Sequence, residues 1–380
     1  MNSKTNKNVQ RNYGIDLLRI LSMMSICVLH VLNHGGIISA SADGSPNNLI
    51  VWFMFTAAYC SVNCYALISG YVGYGSNFKY SRIISLYFQV VFYILTATAV
   101  FAVIEPGSVH YSDFIKAFFP FGFGTYWYFS AYFCLFFFTP FLNYFIEKAS
   151  AEMARKLIFT IFVLFTILPM IFHRDLFFAK EGYTPLWLAF LYLIGAYIKK
   201  YKIENIVNFK VGIISYILLI VISWGSKFAF DKLSAYIPFV SKWEQVLINY
   251  TSPTIFFAAI ILLLISVKLR FPKFVTQIIA FFSPVAFGVY LIHEEPLIKA
   301  HFISGKFTAY ADYSPVFMVL AIIGTVFLIW LIGSLIDRVR LELFRLIRVR
   351  EFSIFLEKSA YNIMMKIKMR LGARVSKRDN

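Results

Sequence analysis

Between residues 13 and 336 one apolar segment follows another, each near the length needed to cross a hydrocarbon core of about 30 Å. They lie near 13–34, 49–71, 83–104, 126–146, 157–173, 185–199, 211–230, 253–267, 281–298 and 314–336. The fifth, sixth and eighth are short, and 272–282 reads as an interfacial helix leading into the ninth. The expected fold is all-α: a polytopic membrane helical bundle of about ten transmembrane helices. Composition agrees, since 14% of the 380 residues are charged, where a soluble domain carries about one quarter. Aromatic residues reach 19%, with 43 Phe, which suits helix surfaces facing lipid. The simplest division is a membrane domain over 1–336 and a basic tail over 337–380.

The net charge of +17 comes from 36 Lys and Arg against 19 Asp and Glu. In a soluble protein that excess would point to nucleic acid. Here it reads as positive-inside bias, with attraction to anionic membrane lipids or a phosphorylated cytosolic substrate, and no nucleic-acid partner is expected. With the N-terminus inside, the inner face receives Lys4, Lys7 and Arg11, then Lys79 and Arg82, then Lys148, Arg155 and Lys156. It also receives Lys199, Lys200, Lys202 and Lys210, then Lys268, Arg270 and Lys273, and the tail from Arg338 to Arg378. The outer loops hold scattered residues such as Lys116, Arg174 and Lys299. An odd number of spans would swap the later loops and erase this asymmetry, so both termini are expected in the cytosol. The tail alternates basic and apolar residues, as in Arg340–Leu346 and Met364–Leu371, the pattern of an amphipathic helix on an anionic leaflet.

The first apolar stretch is too long for a signal-peptide core and is expected to remain as the first span. Cys27, Cys60, Cys64 and Cys134 all fall within apolar segments, and the Cys60–Cys64 spacing suits packing better than a disulfide or a zinc site.

Candidate chemistry begins in the first span. Arg19 and His30 are eleven residues apart, about 20° from eclipsed on a helical wheel and about 16 Å apart along the axis. Asp16 lies one turn before Arg19 and His34 one turn after His30, so four polar residues share one face. Ionisable groups at membrane depth are a functional hypothesis by default, and a neutral imidazole suits a general base. The plain alternatives are a snorkelling arginine and a histidine hydrogen-bonded between helices.

Ser69-Gly70-Tyr71 closes the second span with a small residue where helices can approach. Lys79 and Arg82 border the inner face and are candidate phosphate contacts, although positive-inside bias alone explains them. Trp127 and Tyr128 read equally as an interfacial belt and as a stacking surface for carbohydrate. At the end of the ninth segment, His293 with Glu294 and Glu295 reads as a second acid/base cluster or as an exposed loop start. The chain has no phosphate-cradling Gly-rich loop with Lys-Ser/Thr, no Gly-x-Ser-x-Gly elbow and no His-Glu-x-x-His pair, and no bound metal or cofactor is expected.

These residues resemble acyltransferase family 3, the bacterial membrane O-acyltransferases that modify surface polysaccharides. The resemblance rests on Arg19 followed after ten residues by His30, on Ser69-Gly70-Tyr71 and on Arg82 opening the third span. It continues through Trp127-Tyr128, Tyr132 and Pro140 in the fourth segment to Tyr290-Leu291-Ile292-His293 in the ninth, covering roughly 13–336 in order and spacing.

The resemblance implies a ten-helix acyltransferase domain in a bacterial plasma membrane. It would move an acyl group, usually acetyl, from cytosolic acyl-CoA to a hydroxyl of an extracytoplasmic or lipid-linked glycan. It assigns essential roles to Arg19 and His30. Lys79 and Arg82 depart from the family's usual pair of closely spaced arginines. The resulting expectation is catalysis by His30, Arg19 and His293, acetyl-CoA held by Arg19, Lys79 and Arg82, and acceptor at Trp127 and Tyr128. His30 would be either the base or an acylated carrier. Two alternatives stand beside it: a transporter or flippase using Arg19 and His30 as a relay, and a polymerase-type glycosyltransferase, for which larger outer loops are expected.

Overall fold

A computed structural model describes residues 11–376, with side chains to Met369, and contains helices and loops but no strand among the described residues. Lys4, Lys7, Lys377 and Arg378 lie outside the described residues. The first helix, α1 (Tyr13–Asn33), starts where Asn12 accepts the amide hydrogens of Gly14 and Ile15, and Asp16 in its first turn suits the helix dipole. Below, the end of the bundle that holds Asn12 is called basal and the end that holds His34 distal.

Among the described residues, eight helical stretches are long and apolar enough to cross a membrane. They are α1, then α2 (Pro46–Tyr59) joined to α3 (Ser61–Gly73), α4 (Tyr80–Ile104) and α5 (Trp127–Lys148). There follow α6 (Ala151–Phe162) with its continuation to Phe172, and then, beyond α7 (Pro185–Tyr201), α8 (Phe209–Ser234). Beyond α9 (Pro253–Lys268) come α10 (Lys273–Phe282) joined to α11 (Ala286–His293) and, past the short α12 (Pro296–Phe302), the long α13 (Pro315–Leu346). A last helix, α14, covers Val349–Ser376.

The expected sixth and eighth spans are the shorter helices α7 and α9, of 17 and 16 residues. Both are sheathed by protein. In α7, the run from Phe190 to Ala196 is buried without interruption. Its contact with α3 is backbone to backbone: a Cβ on Gly70 would lie 2.0 Å from the carbonyl oxygen of Tyr192, and one on Gly195 would lie 2.1 Å from that of Leu67. Small residues permit this approach where lipid supplies no hydrophobic drive between helices. The expected second span is a single course interrupted at Cys60, where the Ser61 hydroxyl turns back to the carbonyl of Ala58 at 2.6 Å. The expected interfacial segment 272–282 is α10, separated from α11 by a single 3₁₀ turn at Ser283–Val285.

Helix α13 runs without a break through residue 337. There Asp337, fully buried, receives hydrogen bonds from Arg340 (2.9 and 2.7 Å), Tyr93 (2.6 Å) and Gln89 (3.1 Å). Its carboxyl sits over α11, where a Cβ on Gly288 would fall 2.0 Å from the Asp337 Cγ. Arg348, at φ 57°, turns the chain into α14, which packs beside α4 through Phe352 on Phe88 and Ser353 on Ser85.

Candidate active site

Two helices build the site. α1 brings Asp16 and Arg19 near its basal end and His30 near its distal end. The α10–α11 course runs beside it and brings Ser283 to the first pair and His293 to the second.

At the basal end, Arg19 donates to Asp16 (2.8 Å) and to the hydroxyl of Ser283 (3.0 Å), which itself donates to Asp16. Arg11 closes the group from the other side of Asp16. The Arg19 carbonyl accepts the hydroxyl of Tyr65 on α3. The guanidinium is therefore already committed to a buried carboxylate.

At the distal end, His30 Nδ1 is 2.8 Å from His293 Nε2. The opposite ring nitrogen of His293 meets the carbonyl of Val289 at 2.6 Å. A carbonyl only accepts, so His293 Nδ1 carries a hydrogen and, with the ring neutral, its Nε2 is a lone pair. The hydrogen between the two rings must then sit on His30 Nδ1. The Glu294 carboxylate reinforces this, with Oε1 3.2 Å from the same nitrogen and 3.7 Å from His34 Nε2. That leaves His30 Nε2 as a free lone pair, on a residue that lines a cavity.

The cavity measures about 30 Å³ and is lined by residues that include Met23, Ile26, His30, Tyr65, Trp127, Tyr128, Tyr250 and Tyr290. It brings Trp127 and Tyr128 to His30. It also changes the reading of α1. The four polar residues form two separate clusters, and between them the same face presents Met23 and Ile26, because residues 19, 23, 26 and 30 share one helical stripe. In place of the expected continuous polar track, that face of α1 carries an apolar stretch with a polar cluster at each end.

Lys79 and Arg82 line a second cavity of about 240 Å³ at the basal side, with Ser69, Tyr132, Thr139 and Asn143. Arg19 does not line it. Tyr132 stacks on Tyr128, which meets Tyr65 edge-on, so a row of tyrosines joins the basic cavity to the one that holds His30. The first amides of α4, which lie between Lys79 and Arg82, are not free for an anion: Glu357 of α14 accepts those of Tyr80 (2.8 Å) and Ser81 (3.2 Å). Phosphate recognition there would fall to the side chains.

Glu294 and Glu295 are not an exposed loop start. Glu295 is 2% exposed and caps α12 by accepting the amide of Ile298, while Glu294 is held by Lys299 at 3.2 Å. Their neighbouring positions gave the sequence no means of separating a helix cap from a partner of His30. The remaining polar residues of the distal loops stay apart from the site, as in the pairing of His301 with Glu105.

Donor atoms of His30, His293 and Glu294 all lie within 4.8 Å of one another, a grouping three ligands to a cation would share. The two imidazole nitrogens concerned face each other at hydrogen-bond distance, closer than two ligands about 2.0–2.1 Å from one metal would stand. In this arrangement they satisfy one another.

A family model described as an acyltransferase domain matches residues 12–334, nearly all of the helical bundle. Searches of curated proteins and of solved structures found no match.

Proposed function

We propose, since the chain belongs to the acyltransferase-domain family, that it takes an acyl group, acetyl in the simplest case, from cytosolic acyl-CoA and places it on a hydroxyl of an extracytoplasmic or lipid-linked glycan. Family and apolar helices make it a multi-pass membrane acyltransferase; donor, acceptor, a bacterial plasma membrane and a cytosolic basal end are our reading.

The observation that carries this reading is the unpartnered Nε2 of His30, on a residue lining a cavity whose Tyr65 and Tyr128 stand in a row with Tyr132 of the basic cavity. Lys79 and Arg82 supply cations for the phosphates of CoA, with Arg19 and its carboxylate partner bordering the arm's path. The uncharged pantetheine arm suits the apolar stretch at Met23 and Ile26, and about 16 Å of helix separates Arg19 from His30.

In the reaction, His30 Nε2 takes the proton of the acceptor hydroxyl as that oxygen attacks the thioester carbonyl. The C–S bond then breaks, and the CoA sulfur leaves as the thiol with the proton held by His30. His293 and Glu294 fix the His30 tautomer, and the Glu294 charge stabilises the transient imidazolium. Trp127 and Tyr128 offer the acceptor ring its stacking faces.

A transporter using Arg19 and His30 as a proton relay fits less well, because Met23 and Ile26 interrupt the polar face between them. The test is transfer of labelled acetyl from acetyl-CoA to surface glycan by the purified protein in lipid. His30→Ala should lose about 10²–10⁴-fold in rate. Wild-type transfer in His30→Ala at equal expression would reject the assignment.

A further inference from the structure

A distal cleft of about 110 Å³ takes no part in the chemistry above. Thr166, Arg174, Asp175, Glu181, Asn249 and Thr251 contribute to its lining. Resting on the glycan reading of the reaction cavity, we propose that this cleft is a subsite for a neutral or amino sugar of the acceptor, next to the sugar being acylated.

Three observations carry it. Thr166 is 1% exposed and its hydroxyl has no hydrogen-bond partner, yet it lines the cleft. A buried threonine in a helix ordinarily turns its hydroxyl to the carbonyl one turn back. Here the segment Val163–Ile167 is a π-helix ahead of Pro169, and the hydroxyl is left for a partner from outside the fold.

The cleft also adjoins the reaction cavity through a single residue. Tyr250 lines that cavity while its chain neighbours Asn249 and Thr251 line the cleft. Tyr183, two residues beyond Glu181, stands against both Tyr250 (ring centroids 5.1 Å apart) and Trp127 (4.5 Å). A chain of sugar rings lying over these aromatic faces would have one ring at His30 and the next in the cleft.

The charges choose among glycans. One guanidinium, Arg174, is offset by two carboxylates, Asp175 and Glu181, and neither Arg174 nor Glu181 is ion-paired among the described residues. Mixed donors and acceptors match the paired hydroxyls of a sugar, whereas the carboxylates disfavour a uronate or a phosphodiester. His173, stacked on Trp243 at 5.7 Å, gives the cleft an aromatic flank.

The experiment measures acetyl transfer by full-length protein in lipid, with acetyl-CoA and intact surface glycan isolated from a strain lacking the protein. Thr166→Val and Arg174→Ala are compared with wild type after checking for equal thermal unfolding. Each variant should raise the glycan KM about tenfold and leave kcat and the acetyl-CoA KM within about twofold, the signature of lost ground-state binding. An unchanged glycan KM would overturn the subsite while the acyl-transfer reading stood, as would a defect confined to kcat or to the acetyl-CoA KM. No transfer to the glycan by wild type would sink the underlying reading itself.

Discussion

Nδ1 of His30 lies 2.8 Å from Nε2 of His293, although 263 residues separate the two in the chain. The carbonyl of Val289 fixes the second ring, and the second ring fixes the first. In the proposed reaction His293 positions His30, and Glu294 beside it supplies charge.

Replacing Glu294 by Gln keeps the shape and removes that charge. With the imidazolium on His30 less well stabilised, kcat should fall by about 10–100-fold while the acetyl-CoA KM stays put. Steady-state kinetics on labelled acetyl-CoA would show it. A variant as fast as wild type would mean that Glu294 serves Lys299 alone.

The direct contact between His30 and His293 leaves no room for a cation between those nitrogens. Prolonged treatment with a strong chelator should therefore leave acetyl transfer unchanged, with elemental analysis showing no stoichiometric metal. Loss of activity on chelation and recovery on adding one divalent ion would replace the base assignment with a metal centre made of His30, His293 and Glu294.

Asp337 has no solvent exposure and holds three side chains, so Asp337→Ala would strand Arg340 inside the bundle. The expected cost is about 3–5 kcal/mol, read as a lowered Tm in detergent. Replacing Asp337 and Arg340 together by Leu and Met should recover most of it. Equal losses in the single and double variants would show that Tyr93 and Gln89, not the ion pair, carry the effect.

The hydrogen bond from His301 to the Leu297 carbonyl holds its imidazole above the ordinary 6.5, and the Glu105 carboxylate at 2.6 Å adds to this. A raised folded-state value means that the contact stabilises fully below 6.5 and fades as pH rises through the raised value. The Tm gap between wild type and His301→Ala should be wider near pH 5.5 than near pH 8.5. A gap independent of pH would show the pairing to be uncharged.

Much of the bundle was legible because lipid demands long apolar segments, and the face shared by Arg19 and His30 followed from helical arithmetic alone. The two sheathed helices were harder to read. A segment such as 185–199 looks equally apolar whether it meets lipid or is wrapped by α3 and α5, since burial in protein and burial in membrane ask for the same residues. The companions of His30 were harder still. His293 was in view, but nothing in the chain says that α11 lies beside α1, nor which of Glu294 and Glu295 caps a helix. The interruption at Met23 and Ile26 lies in the same stripe, but an apolar residue between two polar ones on a membrane helix carries no signal of its own.

The 17-residue helix α7 and the 16-residue α9 cover about 26 and 24 Å, while α8, packed on α9, and α13 run to 26 and 32 residues. Alongside α7 and α9 the path from one end of the bundle to the other is therefore shorter than along the longest helices. A reaction that must join a donor in one aqueous compartment to an acceptor in the other then needs no large carrier movement. In the proposed reaction, a flexible thioester tether would have only that shortened path to span.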